Sequence, residues 1–220
     1  FIPEEFRKPI KRKNRIVFIS TTNILEDKIF LIKGGLETLI AFEKLAQKYP
    51  KWNFTILGKI PSIIKKDLPK NVILIDSLPR EEMWKMFNES KIFVQPCYQA
   101  PAMSFLEAMW FKLPIVTYNC WANDEYVDEK NGILINPELP NNYIDEYNVP
   151  NYPKDVLEKI KENSDKNSKK IEKAVEKLIK NNKLREKLGE NGFNRVSIGK
   201  FSIDKKNEKL RKIYETALKN

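Results

Sequence analysis

A chain of 220 residues, 41% of them apolar, is long enough to bury one substantial core. It contains no histidine, which excludes a Ser-His-Asp triad, a histidine general base and the common zinc sites from it. The net charge of +10 is unevenly placed: residues 1–15 carry +4, residues 16–153 carry −3 and residues 154–220 carry +9. No apolar run approaches the ~20 residues of a membrane span. The charged first residues lack the apolar segment of a secretory signal. Two cysteines without close spacing, Cys97 and Cys120, read as buried thiols in a reducing interior, and so as a cytoplasmic setting.

Short runs rich in Ile, Val and Phe alternate with amphipathic stretches, the pattern of βαβ units on a parallel sheet. In chain order the spacing predicts a strand over Arg15–Ser20, then a loop from Ser20-Thr21-Thr22-Asn23 onward. A helix follows over Leu36–Gln47, whose apolar Leu36, Leu39, Ile40 and Phe42 fall on one face. Strands at Asn53–Leu57 and Val72–Ile75 come next, a helix at Glu81–Asn88 and a strand at Ile92–Gln95. Met103–Phe111 reads as a helix, Ile115–Tyr118 as a strand, Asn123–Val127 as a short helix and Ile133–Ile135 as the last strand. Four prolines among Asn and Tyr make residues 137–153 a loop. From about Lys154 the pattern is helical, with glycine and asparagine at 189–192 expected to separate the last helices. The fold class is α/β, a doubly wound Rossmann-like parallel sheet of about six strands with extra C-terminal helices and right-handed crossovers.

The segment from Cys97 to Tyr118 carries the most chemistry. A buried strand end, a tight turn, a helix bearing Glu107, a proline break and a second buried strand form one βαβ crossover. A helix start facing the carboxyl edge of a parallel sheet favours phosphate, because its free N–H groups and dipole attract anions. Glu107 lies among Phe105, Leu106, Ala108, Met109 and Trp110, and a carboxylate in apolar surroundings needs a partner or a ligand.

The run Gln99-Ala-Pro-Ala-Met-Ser-Phe-Leu-Glu107-Ala-Met109, with Leu113-Pro-Ile-Val116, resembles the C-terminal-domain signature of retaining GT-B glycosyltransferases. It is closest to the family of glycogen synthases, sucrose synthases and many lipopolysaccharide mannosyl- and glucosyltransferases. Lys33-Gly34-Gly35 before Leu39-Ile40-Ala41-Phe42 resembles that family's "KG…LI.AF" segment. Phe54 to Gly58, Glu125-Tyr126-Val127 with Asn131-Gly132, and Leu184 to Glu215 resemble later pieces in order. The resemblance covers essentially the whole chain. It implies an interdomain linker remnant over 1–14, a nucleotide-sugar donor-binding domain over 15–200, and a helix over 201–220 packing toward an N-terminal acceptor-binding domain that this sequence does not include.

The resemblance also implies roles. Glu107 stands where the family's glutamate holds the ribose, and Gln99 where a first glutamate contacts the donor sugar, with Ala100 beside it. Glutamine hydrogen-bonds a hydroxyl but brings no charge to an oxocarbenium-like transition state. Ala100-Pro101-Ala102 replaces a Gly-Phe-Gly turn, leaving the amides of Ala102, Met103 and Ser104 for the diphosphate, along with Lys33. An arginine that usually follows the first strand is missing, and Lys28 is its nearest substitute. Lys112 replaces a glycine and must accept a left-handed backbone or another cap. Lys59 and Leu78 are base-site candidates. The resemblance also implies that no cofactor and no metal are needed, and the sequence has no Asp-x-Asp pair to hold one.

The resemblance thus implies transfer of a sugar from a nucleoside diphosphate sugar, UDP- or GDP-linked, to an acceptor hydroxyl with retention, the isolated domain itself being inactive. The departures at Gln99, Ala102 and Lys112 also suit a degenerate, non-catalytic binding module. The basic last third reads mostly as solvated helix faces; it also suits a polyanion-binding domain, for which peripheral contact with an anionic membrane is favoured over nucleic acid.

Overall fold

The computed structural model describes residues 2–8, 10–20, 27–61, 67–99, 101–138 and 154–218. Among these, six parallel strands form one sheet: β1 (Arg15–Ile19), β2 (Asn53–Leu57), β3 (Val72–Ile75), β4 (Ile92–Val94), β5 (Ile115–Tyr118) and β6 (Gly132–Ile135). Their order is β3-β2-β1-β4-β5-β6. Each strand expected from the apolar runs is present, with ends moved by one residue at most. The runs are continuous because helices cover both faces of a parallel sheet, so neither face of a central strand meets water. Residues alternate between two cores: Ile16, Phe18, Phe54, Ile92 and Val94 enter one, Val17, Ile19, Leu57 and Phe93 the other.

The helices are α1 (Asp27–Ile32), α2 (Gly35–Lys48), α3 (Arg80–Glu89), α4 (Met103–Trp110), α5 (Asn123–Tyr126), α6 (Lys154–Glu162), α7 (Ser164–Lys180), α8 (Asn182–Ser197) and α9 (Ile203–Ala217). Four of these match the helices predicted between the strands. The first core takes Phe30 and Leu31 of α1, Leu39, Phe42 and Leu45 of α2, and Ile171, Val175 and Leu178 of α7. The second takes Trp84 and Phe87 of α3, Phe105 and Met109 of α4, and Val196 of α8. Among the described residues, no helix is long and apolar enough to cross a membrane.

Two expectations are corrected. Part of the loop predicted after β1 is helix α1. Its six residues are too few to show a period, and burial of Phe30, Leu31 and Ile32 rather than amphipathic spacing holds them. Gly189, Asn191 and Gly192 do not separate helices; they lie inside α8. A Cβ on Gly189 would sit 2.1 Å from the Lys112 carbonyl oxygen, and one on Gly192 3.3 Å from Met109 Cγ. The glycines let α8 lie against α4 and the turn after it. Gly189→Ala is therefore expected to destabilise the chain by about 1–3 kcal/mol, the backbone clash outweighing the ~1 kcal/mol that alanine adds to an exposed helix. Urea unfolding checks it, and an unchanged midpoint would show that the two helices can separate at low cost.

Lys112 does take the left-handed backbone, with φ of 54°. It has a partner that nothing in the local sequence suggests. The Arg12 guanidinium, brought from the segment before β1, donates to the carbonyls of Lys112 (3.2 Å) and Phe111. The left-handed turn itself closes α4, with Lys112 N–H donating to the Met109 carbonyl and Leu113 N–H to that of Ala108, and Arg12 takes up the two carbonyls just past the helix end. At the opposite extreme is α9, none of whose residues is buried: Ile203, Leu210, Ile213 and Tyr214 all face solvent.

Candidate functional site

The strand order reverses between β1 and β4, which pair in parallel through Ile16↔Ile92 and Val17↔Phe93. Connections from these neighbouring strands leave on opposite faces and open a crevice at the carboxyl edge, where open α/β sheets bind ligands. Three segments border it: the Lys33–Gly34 turn between α1 and α2, the loop from Gln95 to Gln99, and the start of α4.

The first two segments are fastened together. Tyr98 N–H donates to the Ile32 carbonyl at 2.8 Å, and Gly34, with φ of 73°, turns its bare Cα toward the Pro96 carbonyl. Beneath them Gln95 Nε2 donates to the Ile19 carbonyl at 2.6 Å, tying the new loop back to β1. Lys33 stands close enough to Cys97 to act on it: burial pushes that thiol up to about 11, and the lysine pulls the other way. Lys33 and Gln99 are thus neighbours across this junction, with Gln99 exposed at its rim. Ala100 lies outside the described residues, as does most of the loop predicted over 137–153.

The start of α4 keeps a backbone that glycine would find easier. Ala102 has φ of 20° and no side chain to cap the helix. Ser104 N–H is already taken by the Pro101 carbonyl at 3.1 Å, so of the three amides expected to face a diphosphate this one is engaged locally. Met103 is exposed at the first helical position, one turn before Glu107 and on the same face.

Glu107 is buried, and its need for a partner is met from α3. Arg80 Nη2 donates to Oε1 at 2.9 Å and Trp84 Nε1 donates to the same oxygen at 3.1 Å. Arg80 also lies over the Trp84 ring, 5.1 Å from its centroid. Both bonds fall on Oε1, so among the described residues Oε2 accepts none. Beside the carboxyl is an apolar cavity of about 150 Å³, walled by Ile2, Leu106, Trp110, Phe201 and Ile203 among others. Leu78 is half-buried where β3 gives way to α3, and Lys59 is exposed just past β2, the strand next to β3.

One group in this region was not singled out by sequence reasoning. Glu37, on α2, is fully buried, and the Tyr98 hydroxyl donates to its Oε1 at 2.6 Å. Burial raises the carboxyl to about 7, with Tyr98 and then Tyr118 acting in the opposite direction. Its signal lay in the helical period: positions 37, 41 and 45 share the inner face of α2 with Ala41 and Leu45. Arg80 carried no such signal, because nothing in its spacing relates it to α4.

The family model for glycosyl transferases group 1 matches residues 2–148. An uncharacterized glycosyltransferase of Haemophilus influenzae is 33% identical over 131 residues, covering 56% of this chain and 37% of that protein. Among solved structures, the C-terminal domain of a group 1 glycosyl transferase (LpcC) from Francisella tularensis matches with a TM-score of 0.62 at 21% identity. That match covers 91% of this chain and 93% of that one. Anabaena Alr3699/HepE, solved with UDP and also with UDP-glucose, matches in its UDP complex with a TM-score of 0.64 at 13% identity. That match covers 93% of this chain and 49% of HepE, so the chain spans about half of that protein's length and little over a third of the Haemophilus relative's. The sheet order, the crevice at its switch point and the matched residues agree: this chain belongs to the group 1 glycosyl transferase family.

Proposed function

We propose that this chain is the donor-binding half of a retaining glycosyltransferase, which moves a sugar from a nucleoside diphosphate sugar to an acceptor hydroxyl. The observation that carries the reading is the junction of the Lys33–Gly34 turn with the Gln99 loop at the switch point, one helix start away from Glu107. Lys33 and the amides of Ala102 and Met103 at the start of α4 hold the diphosphate, whose charge the helix dipole also favours. Gln99 and Ala100 meet the sugar, and Glu107 accepts the ribose hydroxyls on the oxygen that Arg80 and Trp84 leave open. Lys59 and Leu78 border the base. HepE, a structural neighbour, has been solved with a nucleotide sugar, which supports a donor of this class. Transfer needs an acceptor domain beyond this chain. The exposed apolar residues of α9 and the segment before residue 15 are the parts we assign to contact with it.

Calorimetric titration of the chain with UDP, GDP, UDP-glucose and GDP-mannose tests the reading. One nucleotide series is expected to bind. Glu107→Ala is expected to weaken it by about 1.5–3 kcal/mol, roughly tenfold to a hundredfold, as for hydrogen bonds to a charged group. Equal affinity in the variant would remove Glu107 from the ribose site, and absence of binding at millimolar ligand would remove donor binding from this chain.

A further inference from the structure

Glu37 is a buried titratable group that none of the donor contacts above uses. It lies in the first turn of α2, one helical turn past Lys33. A chain of hydrogen bonds runs from it through the loops of the crevice. Tyr98 donates to Glu37 Oε1 at 2.6 Å, Asn167 Nδ2 donates to the Tyr98 hydroxyl at 3.2 Å, and Glu138 N–H donates to Asn167 Oδ1 at 2.8 Å. The chain joins α2, the loop after β4, the start of α7 and the loop after β6. Tyr98 is the residue before Gln99, and its own N–H holds Ile32, the residue before Lys33. Glu37 therefore stands beneath both segments assigned to the donor's sugar and diphosphate.

The groups facing this carboxyl are Tyr98, from the loop after β4, and Tyr118, from β5, with the Cys120 thiol acting on both tyrosines. Asn167 reaches it through Tyr98. Among the described residues no ammonium or guanidinium pairs with it. Glu37 Oε2 and the Tyr118 hydroxyl are both buried without a hydrogen bond among those residues. An ionised Glu37, with no cation paired to it among the described residues, thus places a negative charge under the site assigned to the diphosphate.

We propose that Glu37 is a positioning residue whose protonation is coupled to donor binding: through Tyr98 it fixes the Gln99 loop against the Lys33–Gly34 turn, and its ionisation opposes the incoming diphosphate. The proposal rests on the donor reading above. A ligand that favours the neutral carboxyl binds more tightly below that group's pKa, and by reciprocity its binding takes up a proton. Since burial holds this carboxyl near 7, affinity falls as pH rises through neutrality.

The test is calorimetric titration of the 220-residue chain with UDP-glucose and GDP-mannose, from about pH 5.5 to about pH 8.5. Nucleotide sugars are the right probes because their phosphates are diesters, whereas a terminal phosphate titrates itself near pH 6. The parent is expected to lose about threefold to tenfold in affinity across this range, and Glu37→Gln, which keeps an acceptor for Tyr98, to stay flat. Tyr98→Phe, which removes the link, is expected to bind more weakly at every pH. In parallel, the amide resonances of Gly34, Cys97 and Gln99 are followed by NMR without ligand. They should titrate with a midpoint near 7 in the parent and not in Glu37→Gln. A parent flat in both measurements, or a Glu37→Gln variant that titrates like the parent, overturns the proposal. If neither nucleotide sugar binds, the donor reading fails and the coupling falls with it, while the amide titration still shows whether Glu37 holds the Gln99 loop against the Lys33–Gly34 turn.

Discussion

Gly34→Ala is expected to destabilise the chain by about 3 kcal/mol, counting ~1–2 for a left-handed non-glycine residue and ~1–3 for overpacking. The added Cβ would lie 2.1 Å from the Pro96 carbonyl oxygen and 2.8 Å from its Cγ, at a residue whose φ is 73°. Neither side can give way cheaply. Pro96 has a fixed φ of its own, and two residues later Tyr98 N–H is bound to Ile32. Whatever relief the backbone finds must move the Lys33 turn away from the Gln99 loop, so nucleotide-sugar affinity should fall together with stability. Urea unfolding measures the first effect. A loss below about 1 kcal/mol would mean that the loop after β4 yields and that the junction is softer than its hydrogen bonds imply.

The second large effect is a dependence of stability on pH that belongs to Glu37. Its folded-state pKa, near 7, lies above the ordinary 4.5, so between those values the folded chain holds a proton that the unfolded chain has released. The stabilisation is fully present below 4.5, is lost as pH rises toward 7, and changes no further above that. At 1.36 kcal/mol per pH unit the whole loss is about 3 kcal/mol. Other carboxylates act in a different window. Glu176 and Glu208, held down to about 2 by lysine hydrogen bonds, contribute above the ordinary carboxylate range and lose that contribution only on acidification below it. The difference in unfolding free energy between parent and Glu37→Gln should therefore change by about 3 kcal/mol from mildly acidic to neutral pH. Parallel curves for the two proteins would show that Glu37 titrates normally.

How much of this was legible follows from how far each interaction reaches along the chain. Strands such as Ile115–Tyr118 were legible because burial on both faces writes itself into consecutive residues. Helix α2 was legible from its period, yet the same period carries Glu37 onto the inner face, where nothing in the apolar run marks a buried carboxyl. The glycines of α8 look like punctuation when read alone; only the carbonyl of Lys112, packed against Gly189, shows that their task is closeness. The left-handed turn at Lys112 could be anticipated from the motif, but not the Arg12 guanidinium that binds its carbonyls from a segment about a hundred residues away. Likewise the setting of Glu107 announced that a partner was needed, and no local rule could select Arg80 and Trp84.

The strand order has a consequence for synthesis. The chain makes one half of the sheet first: β1, β2 and β3 can pair as soon as they leave the ribosome, but the other edge of β1 waits for Ile92–Val94. At about 5–20 residues per second that wait lasts several seconds. During it Ile16 and Val17, fully covered in the finished fold, border an open row of N–H and C=O groups. The edge of β1 that later pairs with β4, below the crevice, is on the nascent chain an open template for a chaperone or a second unfinished chain.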